Sequence, residues 1–241
     1  MQVTTDPLYN HLLSSHFHIT NQTKNHKKMT KNILLSLLII SLTILEFSTI
    51  VESRSRARMY LKLQCRSALY PDLCVQTLLP YVTKTGLPSS RLLAEISLAS
   101  CLSKARFTKA YLNMVANKLN ETEANLGNNQ AIEECIQQIN DGVNQITQSF
   151  KELQKIGKDG DENFVWHETN VQTWVSAALT DATTCIDGIL MGGISSKREQ
   201  AMIKARLLNV KELASNSLAM FSHFTRRYRA SRGIKNPQIL S

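Results

Sequence analysis

Five cysteines, Cys65, Cys74, Cys101, Cys135 and Cys185, are the side chains here with the widest chemical repertoire. A thiol can close a disulfide, hold zinc or act as a nucleophile, and its neighbours decide which. No C-x-x-C pair occurs, and beyond residue 53 only His167 and His223 could complete a zinc site. No metal is therefore expected. His167-Glu168 begins like H-E-x-x-H, but Val171 stands where the second imidazole is needed. There is no glycine-rich phosphate loop, no G-x-S-x-G and no pair of inward carboxylates. Asp181 and Asp187 fall near a helix end and are expected in solvent. The sequence predicts no catalysis and no cofactor.

Binding is better supported. A helical stretch from Val171 to Asp187 turns the uncharged side chains of Gln172, Thr173, Ser176, Thr180, Thr183 and Thr184 outward. Ser and Thr are mediocre helix formers, and a merely solvated face usually carries Lys and Glu instead. The preceding helix repeats the theme with Gln137, Gln138, Asn140, Asp141, Asn144, Gln145, Thr147 and Gln148. Short neutral groups lose little hydration when a partner covers them, so the two stretches read as a protein-docking face. The plainer alternative is a weakly selected polar surface.

Helices must position these residues. Ile132, Ile136, Ile139, Val143, Ile146, Phe150 and Leu153 alternate steps of four and three, an a/d seam that packs a long helix at a shallow angle. Pro88-Ser89 precedes a helix from Ser90 to about Leu119. Asn170 could cap the helix from Val171, ended by Gly188 and Gly192-Gly193, and a last helix runs from Lys197 to Phe224. Four helices with short polar loops make an antiparallel bundle. Before them, Tyr70-Pro71-Asp72 turns the chain between two short helical pieces.

An uncharged apolar run from Ile33 to Leu45 follows Lys24, Lys27, Lys28 and Lys31, the pattern of a secretory signal, and its length argues against a permanent membrane span. We expect residues 29–53 to be that signal, with cleavage near Arg54, and residues 1–28 to be a dispensable extension upstream of Met29. Residues 54–225 then form the helical domain and 226–241 a solvated basic tail. The formal net charge is +9, of which eight charges reside at Arg54, Arg56, Arg58, Arg226, Arg227, Arg229, Arg232 and Lys235, and the body between is about neutral. That distribution argues against a nucleic-acid groove.

Export would place the thiols in an oxidising compartment, so four of the five are expected to pair. Several connectivities are open. Proximity favours Cys65 with Cys74, while Cys135 and Cys185 both fall on inward helix faces. Cys101 is left over, expected as a small buried hydrophobe with a free thiol.

Cys65-Arg66-Ser67-Ala68-Leu69-Tyr70-Pro71-Asp72-Leu73-Cys74, Ser97-Leu98 through Ser103-Lys104-Ala105-Arg106, Ala131-Ile132-Glu133-Glu134-Cys135, Val171 through Gly188 and Ala214 through Ala219 together resemble the plant pectin methylesterase inhibitors. The similarity covers about Leu61 to Phe221 and is most specific in Val171-Gln172-Thr173-Trp174-Val175-Ser176-Ala177-Ala178-Leu179-Thr180. It implies an all-α, antiparallel four-helix bundle with an N-terminal helical hairpin and two disulfides that join the family's four cysteines first to second and third to fourth, here Cys65 to Cys74 and Cys135 to Cys185. It further implies secretion to the apoplast and a one-to-one complex in which bundle helices cover the pectin cleft of pectin methylesterase. The contact surface would include Gln137, Asn140, Asp141 and Asn144, with Gln172, Ser176, Thr180 and Thr184 on the adjoining helix.

Gln137, Asn140 and Asn144 stand where many members carry acids, which predicts weaker steering and a flatter pH dependence. Invertase inhibitors share the fold and cysteines, but their Pro-Lys-Phe motif is missing. A folding or retention module, like the pro-region of some pectin methylesterases, is a third alternative, against which stands the expectation that no catalytic domain follows Ser241. Asn120-Glu121-Thr122 is a glycosylation sequon expected just beyond a helix end. De-esterified pectin, a polyanion, could bind the basic tail.

Overall fold

Two units emerge from the contacts within the chain, Met1–Ser55 and Arg56–Ser241. The computed structural model describes residues 31, 34–42, 54–82, 87–121, 126–158, 160–192 and 196–234. In the first unit residues 34–42 are helical and expose Leu34, Leu35, Leu37, Leu38 and Ile39. No helix among the described residues is long and apolar enough to cross a membrane.

Among its described residues the second unit contains helices and no strand. Helix α1 (residues 56–65 within this unit) and α2 (Pro71–Leu78) form a hairpin closed by the Cys65–Cys74 disulfide. Pro71 sits in the first turn of α2, where its missing N–H costs nothing. Four long helices follow: α3 (Ser90–Glu121), α4 (Leu126–Lys155), α5 (Phe164–Met191) and α6 (Lys197–Arg232). Each packs on its chain neighbour, and α3 also packs on α6, which closes the ring. Side chains at the helix ends show the alternation of direction. Arg91, at the start of α3, donates to the carbonyls of Leu153, Gln154 and Ile156 at the end of α4. Lys118, near the end of α3, meets Glu199 at the start of α6 at 2.7 Å.

Local chemistry sets most boundaries. Ser89 Oγ accepts from Leu92 N at 3.2 Å, and Ser196 Oγ from Glu199 N at 3.3 Å, each satisfying an amide that a helix start leaves bare. Helix α6 stops at Gly233, whose φ of 66° lets its N–H reach Arg229 O.

Two boundaries correct the sequence-based expectation. Helix α5 begins at Phe164, not Val171, and continues through Gly188 to Met191; Asn170 is not a cap. The added turns bury Phe164, His167 and Glu168, so the helical period is there but is carried by polar residues. Helix α6 runs past Phe224 to Arg232 and buries Thr225 and Arg229, so residues 226–232 are helix and not a solvated tail; 235–241 lie outside the described residues.

Small residues let the helices approach. A Cβ added at Gly142 would lie 3.6 Å from Ala178 Cβ, which brings α4 against α5 one heptad from the Cys135–Cys185 disulfide. The Ser97 and Ser217 hydroxyls meet at 3.1 Å between α3 and α6. The hairpin is pinned by Asn216 of α6, which accepts from Tyr70 N at 3.2 Å and donates to Tyr70 O at 2.9 Å. In the chain-entropy model the longer disulfide loop contributes roughly 4 kcal/mol and the shorter somewhat under 3 kcal/mol.

Cys101 is wholly buried among apolar neighbours, and burial pushes its thiol up to about 12. A thiol so shielded is expected to ignore Ellman's reagent in the native, oxidised protein and to react as a single equivalent in denaturant. Rapid native labelling would contradict the burial.

Candidate functional site

Helices α4 and α5 lie antiparallel in a register fixed by Cys135–Cys185 at one end and by Glu152 with His167 at the other. Along the outside of α5, Ser176, Thr180 and Thr184 recur every fourth residue and are exposed. Thr180 Oγ1 donates to Ser176 O and Thr184 Oγ1 to Thr180 O, each at 3.1 Å. These bonds point the hydroxyl hydrogens back into the helix and leave methyls and oxygen lone pairs outward. On α4, Gln137, Asp141 and Asn144 are exposed beside this ridge. Six of the eight expected contact residues thus share one face.

Two do not stand as expected. Asn140 is half-buried on the α3 side and accepts from Lys109 Nζ at 2.5 Å. Gln172 is half-buried one turn from Glu168, on the flank of α5 that reaches α6.

The groove between the helices holds Asp181, which sequence reasoning assigned to solvent, and Gln138 and Gln145, which it assigned to the docking face. Asp181 is half-buried. Burial raises its carboxyl above the ordinary range, the neighbouring Asp141 charge raises it further, and a hydrogen bond from Gln145 opposes both. One oxygen of each of Gln138, Gln145 and Asp181 (Oε1, Oε1 and Oδ2) is enclosed without a hydrogen-bond donor. Asp181 stands four residues after Ala177 and four before Cys185, a spacing that puts it at the edge of the buried stripe, and this was the available signal.

A raised carboxyl has a definite consequence for stability. Asp181 favours the fold below its unfolded value, near 3.8, and that contribution is lost as pH rises through the higher folded value. Asp181→Asn is therefore expected to stabilise the protein near neutrality more than in acid. Urea titrations across that range check this, and an equal effect at both ends would refute it.

Acid–base chemistry is sealed away. Glu152, His167 and Glu168 are 5%, 5% and 8% exposed, so the interior holds two carboxylates that the sequence reading did not place inward, each paired with a base. Glu152 lies 2.7 Å from His167 Nδ1 and accepts from Asn170 at 3.2 Å and Lys155 at 3.1 Å. Burial pushes its carboxyl up, but these hydrogen bonds outweigh burial and hold it below its usual value. Glu168 pairs with Arg229, whose guanidinium stacks 4.8 Å over Phe164. Every one of these groups has a structural partner inside the bundle. No cluster of three metal-ligating side chains occurs among the described residues.

The family model for plant invertase/pectin methylesterase inhibitors matches residues 60–220, which spans most of the hairpin and of the bundle. The chain belongs to that family. It is 34% identical over 209 residues to pectinesterase inhibitor 9 of Arabidopsis thaliana, covering 86% of this chain and 98% of that one. Similarity to pectinesterase inhibitor 11 of the same plant is 33% over 174 residues, or 72% and 84% of the two chains. A crystal structure of a mutant pectin methylesterase inhibitor from Arabidopsis superposes with a TM-score of 0.50 at 18% identity, covering 66% of this chain and 92% of that one. That match shows the fold: an all-α bundle with an N-terminal hairpin and two disulfides, joined here as Cys65–Cys74 and Cys135–Cys185. The relatives are named as inhibitors, and this family member is likewise no enzyme. Asn120 lies in the last turn of α3 and not beyond it; its side chain and Thr122 lie outside what is described.

Proposed function

We propose that this protein is a secreted inhibitor of plant pectin methylesterase that docks its α4/α5 face, one-to-one, over the pectin-binding cleft. The observation that carries this is the ridge of Ser176, Thr180 and Thr184 beside Gln137, Asp141 and Asn144. These are short, nearly uncharged side chains on two helices locked together by a disulfide and by Gly142 against Ala178. Such a face is preorganised, so little conformational entropy is lost when it docks, and its groups exchange water for partner hydrogen bonds at small cost. Inhibition is steric. Residues 29–53 act as the export signal, residues 1–28 are dispensable, and Asn120 is a glycan acceptor in the apoplast.

Invertase inhibition is the second reading, because the family model spans both activities. A titration of the oxidised mature protein against a plant pectin methylesterase and a cell-wall invertase in parallel, at mildly acidic pH, separates the two. Loss of methylesterase activity ending at one equivalent supports the proposal; loss of invertase activity alone moves the protein to the sister activity. No effect on either enzyme removes both and leaves a pro-region-like folding or retention module. With so few acids on the α4 face, inhibition constants at about pH 5 and about pH 7.5 should agree within several-fold. A steep loss at the higher value would contradict this, and its disappearance in Asp181→Asn would trace the loss to the Asp141–Asp181 pair.

A further inference from the structure

The positive charge near the end of the chain is built into the fold instead of trailing from it. Asn216, Met220, His223 and Arg227 follow each other at steps of four, three and four, so they share one ridge of α6. Asn216 fixes that ridge against the hairpin through Tyr70. Arg66 is held at the hairpin's turn by the Cys65–Cys74 disulfide and the Ala68 N to Cys65 O bond of 3.0 Å. Arg66, Arg226 and Arg227 are exposed and His223 is half-buried among them. Burial, then Arg227, Arg226 and Arg66, hold the His223 imidazole below the usual histidine value, which places all three guanidinium groups within electrostatic reach of one ring. Among the described residues no carboxylate pairs with these three arginines, whereas Arg229 and Arg232 face Glu168 and Asp161.

We infer that Arg66, Arg226 and Arg227, gathered around His223 where the hairpin meets α6, form a binding patch for the free carboxylates of a de-esterified uronic-acid polymer. The patch stands on the geometry; the choice of polymer rests on the proposed function, since de-esterification of pectin leaves a polymer of carboxylates where the inhibited enzyme works. Planar guanidinium groups match carboxylates in fork geometry, and several on one rigid surface act together on a polyanion. Helix α6 lies diagonally across the ring from α4, so most of the proposed enzyme-docking face stays open while the patch is occupied. The inhibitor would be concentrated on de-esterified wall regions without loss of inhibition. This relocates polymer binding from a loose tail to a built surface. Deleting the chain beyond Thr225 would not isolate the patch, because it also removes Arg229 from its buried partner.

The test is salt elution of the full mature protein from immobilised polygalacturonate, with fully methyl-esterified pectin as the uncharged matrix. The wild type should be retained on the first and not on the second. Arg226→Ser with Arg227→Ser should weaken retention on the order of tenfold at low salt. Lys104→Ser with Arg106→Ser removes the same charge from the exposed outside of α3 and should change retention little. Both double variants should titrate the methylesterase as the wild type does. An equal drop in both variants would reduce the effect to net charge and overturn the patch, as would unchanged elution of the first. Tighter retention on duplex DNA or on anionic vesicles than on polygalacturonate would overturn the polymer assignment. Retention without any methylesterase inhibition would remove the proposed function and leave the patch standing.

Discussion

Thr180→Arg is expected to weaken inhibition of pectin methylesterase at least about a hundredfold while leaving the melting temperature unchanged. Thr180 stands at the middle of the α5 ridge, one turn from both Ser176 and Thr184, and its side chain is exposed. A long charged side chain there has room in free solution, and Arg is the better helix former, so the fold does not suffer. Against a partner surface it must either displace the enzyme or bury an unpaired charge. Changes of that kind at an interface centre are worth roughly 2–4 kcal/mol, almost all of it in the dissociation rate. Inhibition constants measured beside a thermal melt decide the matter. Retained inhibition with an intact fold would place the enzyme on some other face, and Lys104→Ser with Arg106→Ser on α3 supplies the matched surface control.

Arg229→Met is expected to cost about 3–5 kcal/mol of stability, the usual penalty for stranding one half of a buried ion pair. Both side chains of the Glu168–Arg229 pair are about 10% exposed, and Arg229 also covers the Phe164 ring. Phe164 in turn stacks on Tyr228 at 5.0 Å, and Tyr228 donates to Asp161 at 2.6 Å, so the end of α6 is tied to the start of α5 by one connected cluster. For a domain of this size the loss corresponds to a fall of roughly ten degrees in melting temperature. Arg229→Met combined with Glu168→Leu removes both charges and should recover most of the loss, because an apolar pair of similar volume needs no hydration. If the single variant melts within about two degrees of the wild type, the pair does not close this end of the bundle.

The all-α bundle, the hairpin, the start of α3 at Ser90 and the outward Ser and Thr ridge could be read from residue order because each depends on neighbours three or four positions away. Helical period, turn chemistry and capping are local, and apolar residues report them directly. Where polar residues carry the inward period, that signal fails. His167 and Glu168 continue the α5 stripe, and Thr225 and Arg229 the α6 stripe, yet each counts as surface in a pattern of hydrophobicity. The partners of His167 and Arg229, Glu152 and Glu168, come from other helices, 15 and 61 residues away. Only the closed ring brings them together.

The candidate face divides in the same way. Its composition, Gln, Asn, Ser and Thr in place of Lys and Glu, was written in the sequence, as was the period that turns Ser176, Thr180 and Thr184 outward. Which residues of α4 join them depends on how α4 rolls against α5 and α3, and that roll is set by Gly142 on Ala178, by Cys135 with Cys185 and by Lys109 on Asn140. The same roll drew Asp181 into the groove beside Asp141 and Gln145. Local order in the chain determined the helices and the chemistry of their faces. Packing between helices decided which of those faces are covered, because burial is a property of the pair of surfaces and not of either one alone.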